Sequence, residues 1–104
     1  MSNRKTIELV TVIAESVLEK SLSKDIERLG ARGYTIQDVR GKGARGYRAG
    51  EWNESSNIQI EILCDEAVAR EIENHLNNTY FDNYGMIIYT SKVSVLRSDK
   101  FSKI

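Results

Sequence analysis

Residues 41–57 read GKGARGYRAGEWNESSN and hold the densest set of groups in this chain that could do chemistry. Gly41, Gly43, Gly46 and Gly50 permit positive φ and close backbone approach to a ligand. Successive backbone N–H groups in such turns form nests that bind anions. Arg45 and Arg48 add planar guanidinium forks that match phosphate or carboxylate, and Lys42 adds a third cation. Spacing alone does not choose the ligand: GKGARG is neither a Walker sequence nor a dinucleotide fingerprint. A solvated hairpin tip accounts for the same composition, so both readings stand at this point. Trp52, the lone indole, is either a lid on neighbouring surface or an anchor for a partner.

Elsewhere the chemistry is sparse. His75 lies beside an apolar helical stripe, with no second histidine and no nearby cysteine or acidic ligand pattern. It reads as a surface or half-buried histidine rather than a metal ligand. Cys64 ends an apolar run and reads as a small core residue rather than a nucleophile. A single cysteine also excludes an intramolecular disulfide and a cysteine-based metal cluster. Tyr80, Phe81 and Tyr84 read as packing around a turn rather than a base-stacking platform.

The elements that must position these groups follow from periodicity. Ile7–Ala14 (IELVTVIA) reads as a central strand covered on both faces or nearly so. Ser16 and Glu19 fit a capping box, and Leu18, Leu22, Ile26 and Leu29 form a helical stripe ended by Gly30 at C′. Tyr34–Arg40 alternates as a second strand, and Ile58–Cys64 (IQIEILC) alternates as a third with one solvated or subunit-facing side. Asp65 can cap a second helix carrying Val68, Ile72 and Leu76 on one face. Tyr80–Gly85 is an aromatic turn, and Met86–Leu96 is a long last strand. The order β-α-β-loop-β-α-β is that of an α+β, ferredoxin-like βαββαβ sandwich. Residues 1–104 form one domain, with an unusually long loop at about 41–57, since hairpin loops usually run about 2–5 residues. Two helices leave one sheet face bare. The Ile58 and Ile60 side is expected to need cover, and oligomerisation supplies it.

Composition sets outer bounds. Lys+Arg and Asp+Glu are 15 each, so a general nucleic-acid or anionic-membrane binder is not expected, although a local basic site is allowed. No stretch approaches the roughly 18 apolar residues of a membrane span. The opening MSNRKT has no signal-peptide core, and a cytoplasmic location is expected.

The run GARGYTIQDVRGKGARGYR, with the later YFDNYGMIIY and VSVLRSDKF, resembles PII signalling proteins over about residues 7–101. The resemblance is closer to the PII-like relatives linked to inorganic carbon, the SbtB and carboxysome-associated types. It implies a homotrimer with adenine nucleotides, and bicarbonate as a further candidate ligand, in clefts between subunits. It also implies that the 41–57 segment is a T-loop docking on a membrane transporter or other carbon-uptake partner, so that any membrane association runs through that partner. No nucleic-acid partner and no cofactor are implied. Position by position, Gly41 and Gly43 match the glycines where the T-loop begins, and Lys42 lies between them. Arg45 and Arg48 match phosphate-holding arginines, and Thr35 a threonine at the adenine. Glu61 and Leu63 match third-strand positions lining ribose and base. Gly85 matches a phosphate-wrapping loop, and Arg97 an arginine offered to the neighbouring subunit's nucleotide.

Four departures qualify the match. Met86 stands where PII proteins carry a phosphate-binding lysine, so triphosphate is expected to be held less well. The arginine expected near Val95 is missing, Tyr47 does not match the uridylylation tyrosine of a longer T-loop, and the cysteine-bearing C-terminal extension of some relatives has no counterpart, so redox control through it is not expected. The combined reading is a non-enzymatic sensor that distinguishes AMP, ADP, ATP or cyclic AMP. A weak nucleotide phosphohydrolase on the same scaffold is the alternative, although the loop lacks paired carboxylates for Mg²⁺. A ferredoxin-like RNA binder would need exposed aromatics on two central strands, and neither IQIEILC nor IELVTVIA supplies them.

Overall fold

In a computed structural model the described residues are 5–41, 57–97 and 100–101. They form β1 (Lys5–Glu15), α1 (Glu19–Arg28), β2 (Tyr34–Val39), β3 (Asn57–Cys64), α2 (Glu66–Thr79) and β4 (Ile87–Val95). The sheet is antiparallel in the order β2-β3-β1-β4, so β1 and β3 are central and β2 and β4 are edges. The architecture is the α+β, βαββαβ arrangement expected from periodicity.

Register decides which side chains meet the helices. Val10, Val12 and Ala14 of β1 stand opposite Ile62, Ile60 and Ile58 of β3. These residues join Cys64, Leu22 and Ile26 of α1, and Ala69, Ile72 and Leu76 of α2 in one buried cluster. Because strand side chains alternate faces, the odd-numbered residues of β1 point the other way. Ile58 and Ile60 are 0% exposed within the chain itself. They are therefore not the surface that awaits a partner. The side away from the helices carries Thr35, Gln37, Gln59, Glu61, Leu63, Leu9, Ile13, Ile87 and Tyr89, together with Ile7, Thr11 and Asn57, which are 5%, 2% and 3% exposed. Ile87 and Tyr89 are 52% and 53% exposed on it.

Helix ends follow their capping residues with one exception. Asp65 caps α2, its carboxylate accepting from the Val68 N–H at 3.0 Å. The Ser16–Glu19 box does not form: Ser16–Leu18 make a single 3₁₀ turn, and α1 starts at Glu19 with no side-chain cap. The tight 3₁₀ turn places Ser16 inside a helical segment rather than ahead of one, where a cap must sit. At the other end, Gly30 at φ 111° lets its N–H donate to the Glu27 carbonyl and the Ala31 N–H to the Ile26 carbonyl. This pair of bonds is the Schellman closure. A Cβ on Gly30 would also stand 3.3 Å from Val68 Cγ2. Gly30→Ala should therefore destabilise the chain by roughly 1–3 kcal/mol, read as a lower urea midpoint with unchanged slope. An unchanged midpoint would contradict this account of the α1 terminus.

Candidate functional site

Three of the residues matched to a nucleotide site come together on the open sheet face. Thr35 of β2 pairs with Glu61 of β3, which pairs with Thr11 of β1, which pairs with Tyr89 of β4. The four residues form one row across the whole sheet, with neighbouring Cα atoms about 4.5–5.5 Å apart. Leu63 sits two residues along β3 from Glu61, on the same face, opposite Leu9. Glu61 is exposed and accepts from Gln59 Nε2 at 3.3 Å. Thr35 is exposed and Leu63 half-buried. Thr11, by contrast, is 2% exposed. Thr11 and Tyr89 were not anticipated; only the β1–β4 register, which pairs residues far apart in sequence, brings them into the row.

The remaining candidates divide between the two ends of the sheet. Val39 pairs with Asn57, so the segment that contains Gly41 leaves and re-enters at one end. Ile87 opens β4 at that same end, opposite Ile13, which brings Gly85 there too. Gly41 is six residues from Thr35, about 20 Å if extended. Arg97 lies beyond Val95, which pairs with Lys5, at the opposite end. It is exposed and adopts φ 59°, the one non-glycine residue with positive φ among those described. One chain thus gathers Thr35, Glu61 and Leu63 on a face, places Gly41 and Gly85 at one end, and carries Arg97 at the other. Lys42, Gly43, Arg45, Arg48 and Trp52 lie outside the described residues.

Two polar networks were not visible in the sequence. Glu8 of β1 is 5% exposed on the helix-facing side, where it accepts from Lys92 Nζ of β4 at 2.6 Å and Arg70 Nη2 of α2 at 2.9 Å. Arg70 also bonds Glu73, which accepts from Thr90 Oγ1 at 2.6 Å. The bond from Lys92 holds the Glu8 carboxyl below its ordinary value; burial opposes this and Arg70 reinforces it. On the other helix, Asp25 accepts from His75 Nε2 at 2.9 Å and Tyr80 Oη at 2.7 Å, which places His75 in an interhelical bond. Burial raises the Asp25 carboxyl, but the bonds from Tyr80 and His75 outweigh it and leave it lowered. Cys64 is 1% exposed in the core, and burial pushes its thiol up to about 12, far from the thiolate a nucleophile needs. Among the described residues no group of three or more His, Cys, Asp or Glu is placed to hold a metal ion.

The family model of the nitrogen regulatory protein P-II matches residues 7–100. The chain belongs to the PII family. A Thermus thermophilus protein described as PII-like in signalling is 44% identical over 97% of this chain and 99% of its own, with a TM-score of 0.81. CPII of Thiomonas intermedia, solved with ADP, AMP and bicarbonate, is 22% identical over 98% of this chain and 99% of its own, with a TM-score of 0.83. The Bacillus subtilis GlnK–ATP complex is 17% identical over 88% and 84%, with a TM-score of 0.57. At those identities the last two share the fold with this PII-family chain. No helix among its described residues is long and apolar enough to cross a membrane.

The Glu8 network makes a pH prediction. A carboxyl held below its ordinary 4.5 contributes stability that is full above that value and is lost as pH falls through the lower folded value. Wild type should lose thermal stability as pH falls below 4.5, and Glu8→Gln should lose less over the same fall while being less stable at neutral pH. Parallel curves for the two proteins would show that Glu8 is not the titrating group.

Proposed function

We propose that this PII-family chain is a non-enzymatic, homotrimeric sensor of the inorganic-carbon-associated type. It binds adenine nucleotides in clefts between subunits and passes their identity to a carbon-uptake partner, such as a bicarbonate transporter, through the 41–57 loop. The carrying observation is the division of the candidate residues. Thr35, Glu61 and Leu63 lie on a sheet face the chain leaves open, and Arg97 stands at the end away from Gly41 and Gly85. A complete pocket then requires a second copy to bring its own Arg97 near the loop end of the first. The ADP, AMP and bicarbonate bound by Thiomonas CPII, which shares the fold, support adenine nucleotide and bicarbonate as the ligands to test first.

In this reading the base and ribose lie along Thr35, Glu61 and Leu63, and the phosphates meet Gly41, Lys42, Gly43, Arg45 and Arg48 on one side and Gly85 on the other. Backbone amides and guanidinium forks are the groups a buried phosphate needs. Phosphate contacts bias the loop toward one arrangement, and the partner distinguishes that arrangement from the others. Light scattering should give about three times the 11.8 kDa chain mass; a monomer at micromolar concentration would remove the intersubunit site.

Met86 sharpens the ligand preference. It is half-buried and packs against the core cluster, so it presents no cation beside Gly85. A hydrogen bond to a charged group contributes about 1.5–3 kcal/mol. Calorimetric titration should therefore find AMP, cyclic AMP or ADP competing well with ATP, with bicarbonate tested in the same series. ATP bound a hundredfold more tightly than all the others would refute the Met86 argument. Arg45→Ala should weaken nucleotide binding about 10- to 150-fold and blunt the nucleotide-induced change in Trp52 fluorescence. Normal binding by this variant would reduce the loop to a connection.

A further inference from the structure

The turn that presents Gly85 starts from a buried side chain, and Tyr84 and Met86 on either side of the glycine pack against the core cluster. Tyr80, at the C-cap of α2, is 6% exposed. Its hydroxyl reaches across to α1, 2.7 Å from Asp25 Oδ2 and 3.2 Å from Ser21 Oγ. A hydroxyl has one proton to give, and the shorter bond to the carboxylate takes it, so Ser21 donates to Tyr80 in turn. Asp25 is fixed in place by His75 Nε2 on the same oxygen and by Arg28 at 3.7 Å from Oδ1. From this anchor the chain turns: the Asn83 and Tyr84 N–H groups both donate to the Tyr80 carbonyl, at 3.1 and 3.0 Å. The Tyr80 and Tyr84 rings meet at 6.0 Å and 55°. Gly85 follows directly.

Asp25 is thus linked to the Gly85 turn through the Tyr80 hydroxyl, the Tyr80 carbonyl and the Tyr80–Tyr84 ring pair, beside the core packing of Tyr84 and Met86. We infer that Asp25 and Tyr80 are positioning residues for the Gly85 turn, and that their bond sets how well the turn meets a phosphate. This rests on the adenine-nucleotide reading above and deepens it. Both act through the backbone of residues 81–85 rather than as groups offered to a ligand. His75, which also donates to Asp25, supports the same oxygen from α2, so both contacts stiffen one acceptor.

The test compares Tyr80→Phe, which keeps the ring and removes the hydroxyl, with Ile26→Val, a core change on α1 outside the network. Ile26 is 0% exposed in the core cluster, and the loss of one methylene there destabilises by an amount comparable to one lost hydrogen bond. Amide hydrogen exchange in ligand-free protein should accelerate at residues 81–86 in Tyr80→Phe and stay at wild-type rates in Ile26→Val. ADP affinity should fall about 3- to 10-fold in Tyr80→Phe and less than about twofold in Ile26→Val. Asp25→Ala should behave like Tyr80→Phe, whereas Asp25→Asn, which keeps an acceptor oxygen, should recover most of the loss. Unchanged exchange at 81–86 in Tyr80→Phe overturns the inference whatever the ligand results. Equal ADP losses in Tyr80→Phe and Ile26→Val also overturn it, by reducing the effect to stability. If wild type binds no adenine nucleotide, the functional reading fails, and the exchange data alone still decide whether the anchor exists.

Discussion

β1 carries side chains that avoid water on both faces, and two helices can cover only one of them. Val10, Val12 and Ala14 meet α1 and α2, and they are buried to within a few per cent. Leu9 and Ile13 face the opposite way, across a sheet whose edge strand adds Ile87 and Tyr89 to the same side. Burial of apolar surface is the main favourable term in folding and in association alike. The second face is thus the part of this fold whose stabilisation the single chain leaves incomplete. Everything proposed for the site depends on that imbalance, since the candidate binding row crosses the same face.

The same alternation that creates the open face also sorts the site residues. Thr35, Glu61 and Leu63 share a parity relation fixed by register, and a slip of one residue would send all three into the core. Antiparallel pairing then sends the loop and the Gly85 turn to one end and Arg97 to the other. With β4 paired to β1, Gly41 and Arg97 follow strand ends at opposite ends of one sheet. In the function proposed above a second copy supplies its Arg97 to the loop end of the first, so assembly and ligand binding would be coupled.

Local signals in the sequence were reliable where the cause is local. Gly30 ends α1 because a left-handed residue must, and Asp65 caps α2 because its carboxylate reaches the Val68 N–H three residues on. The alternation of IQIEILC was legible, but which parity faces the helices was not. That assignment depends on pairing with Ala14 and Val12, 44 and 48 residues away along the chain (58 less 14, 60 less 12), and the expectation for Ile58 and Ile60 failed on it. The Ser16–Glu19 pattern matched a capping box by spacing alone, without regard to the tight 3₁₀ turn that β1 feeds into. Glu8–Lys92 and Asp25–Tyr80 span 84 and 55 residues, and no window of sequence reveals such pairs. The resemblance names candidate site residues that periodicity cannot, because family motifs encode contacts that a single sequence does not.

Position 86 shows how the core and the site compete for one residue. Register places Ile88, Thr90 and Lys92 on the helix-facing side of β4, opposite Val12, Val10 and Glu8. Met86 continues that parity, and its side chain packs against the core cluster. A lysine there would have to send its ammonium out along the sheet end past the helices, with its stem on apolar neighbours, to reach an outer phosphate. Methionine fills the space instead, and its flexible thioether suits an irregular gap. The side chain therefore contributes to packing and places no cation beside Gly85. Under the function proposed above, selectivity for a longer phosphate chain would fall to the remaining cations, Lys42, Arg45, Arg48 and Arg97, rather than to position 86.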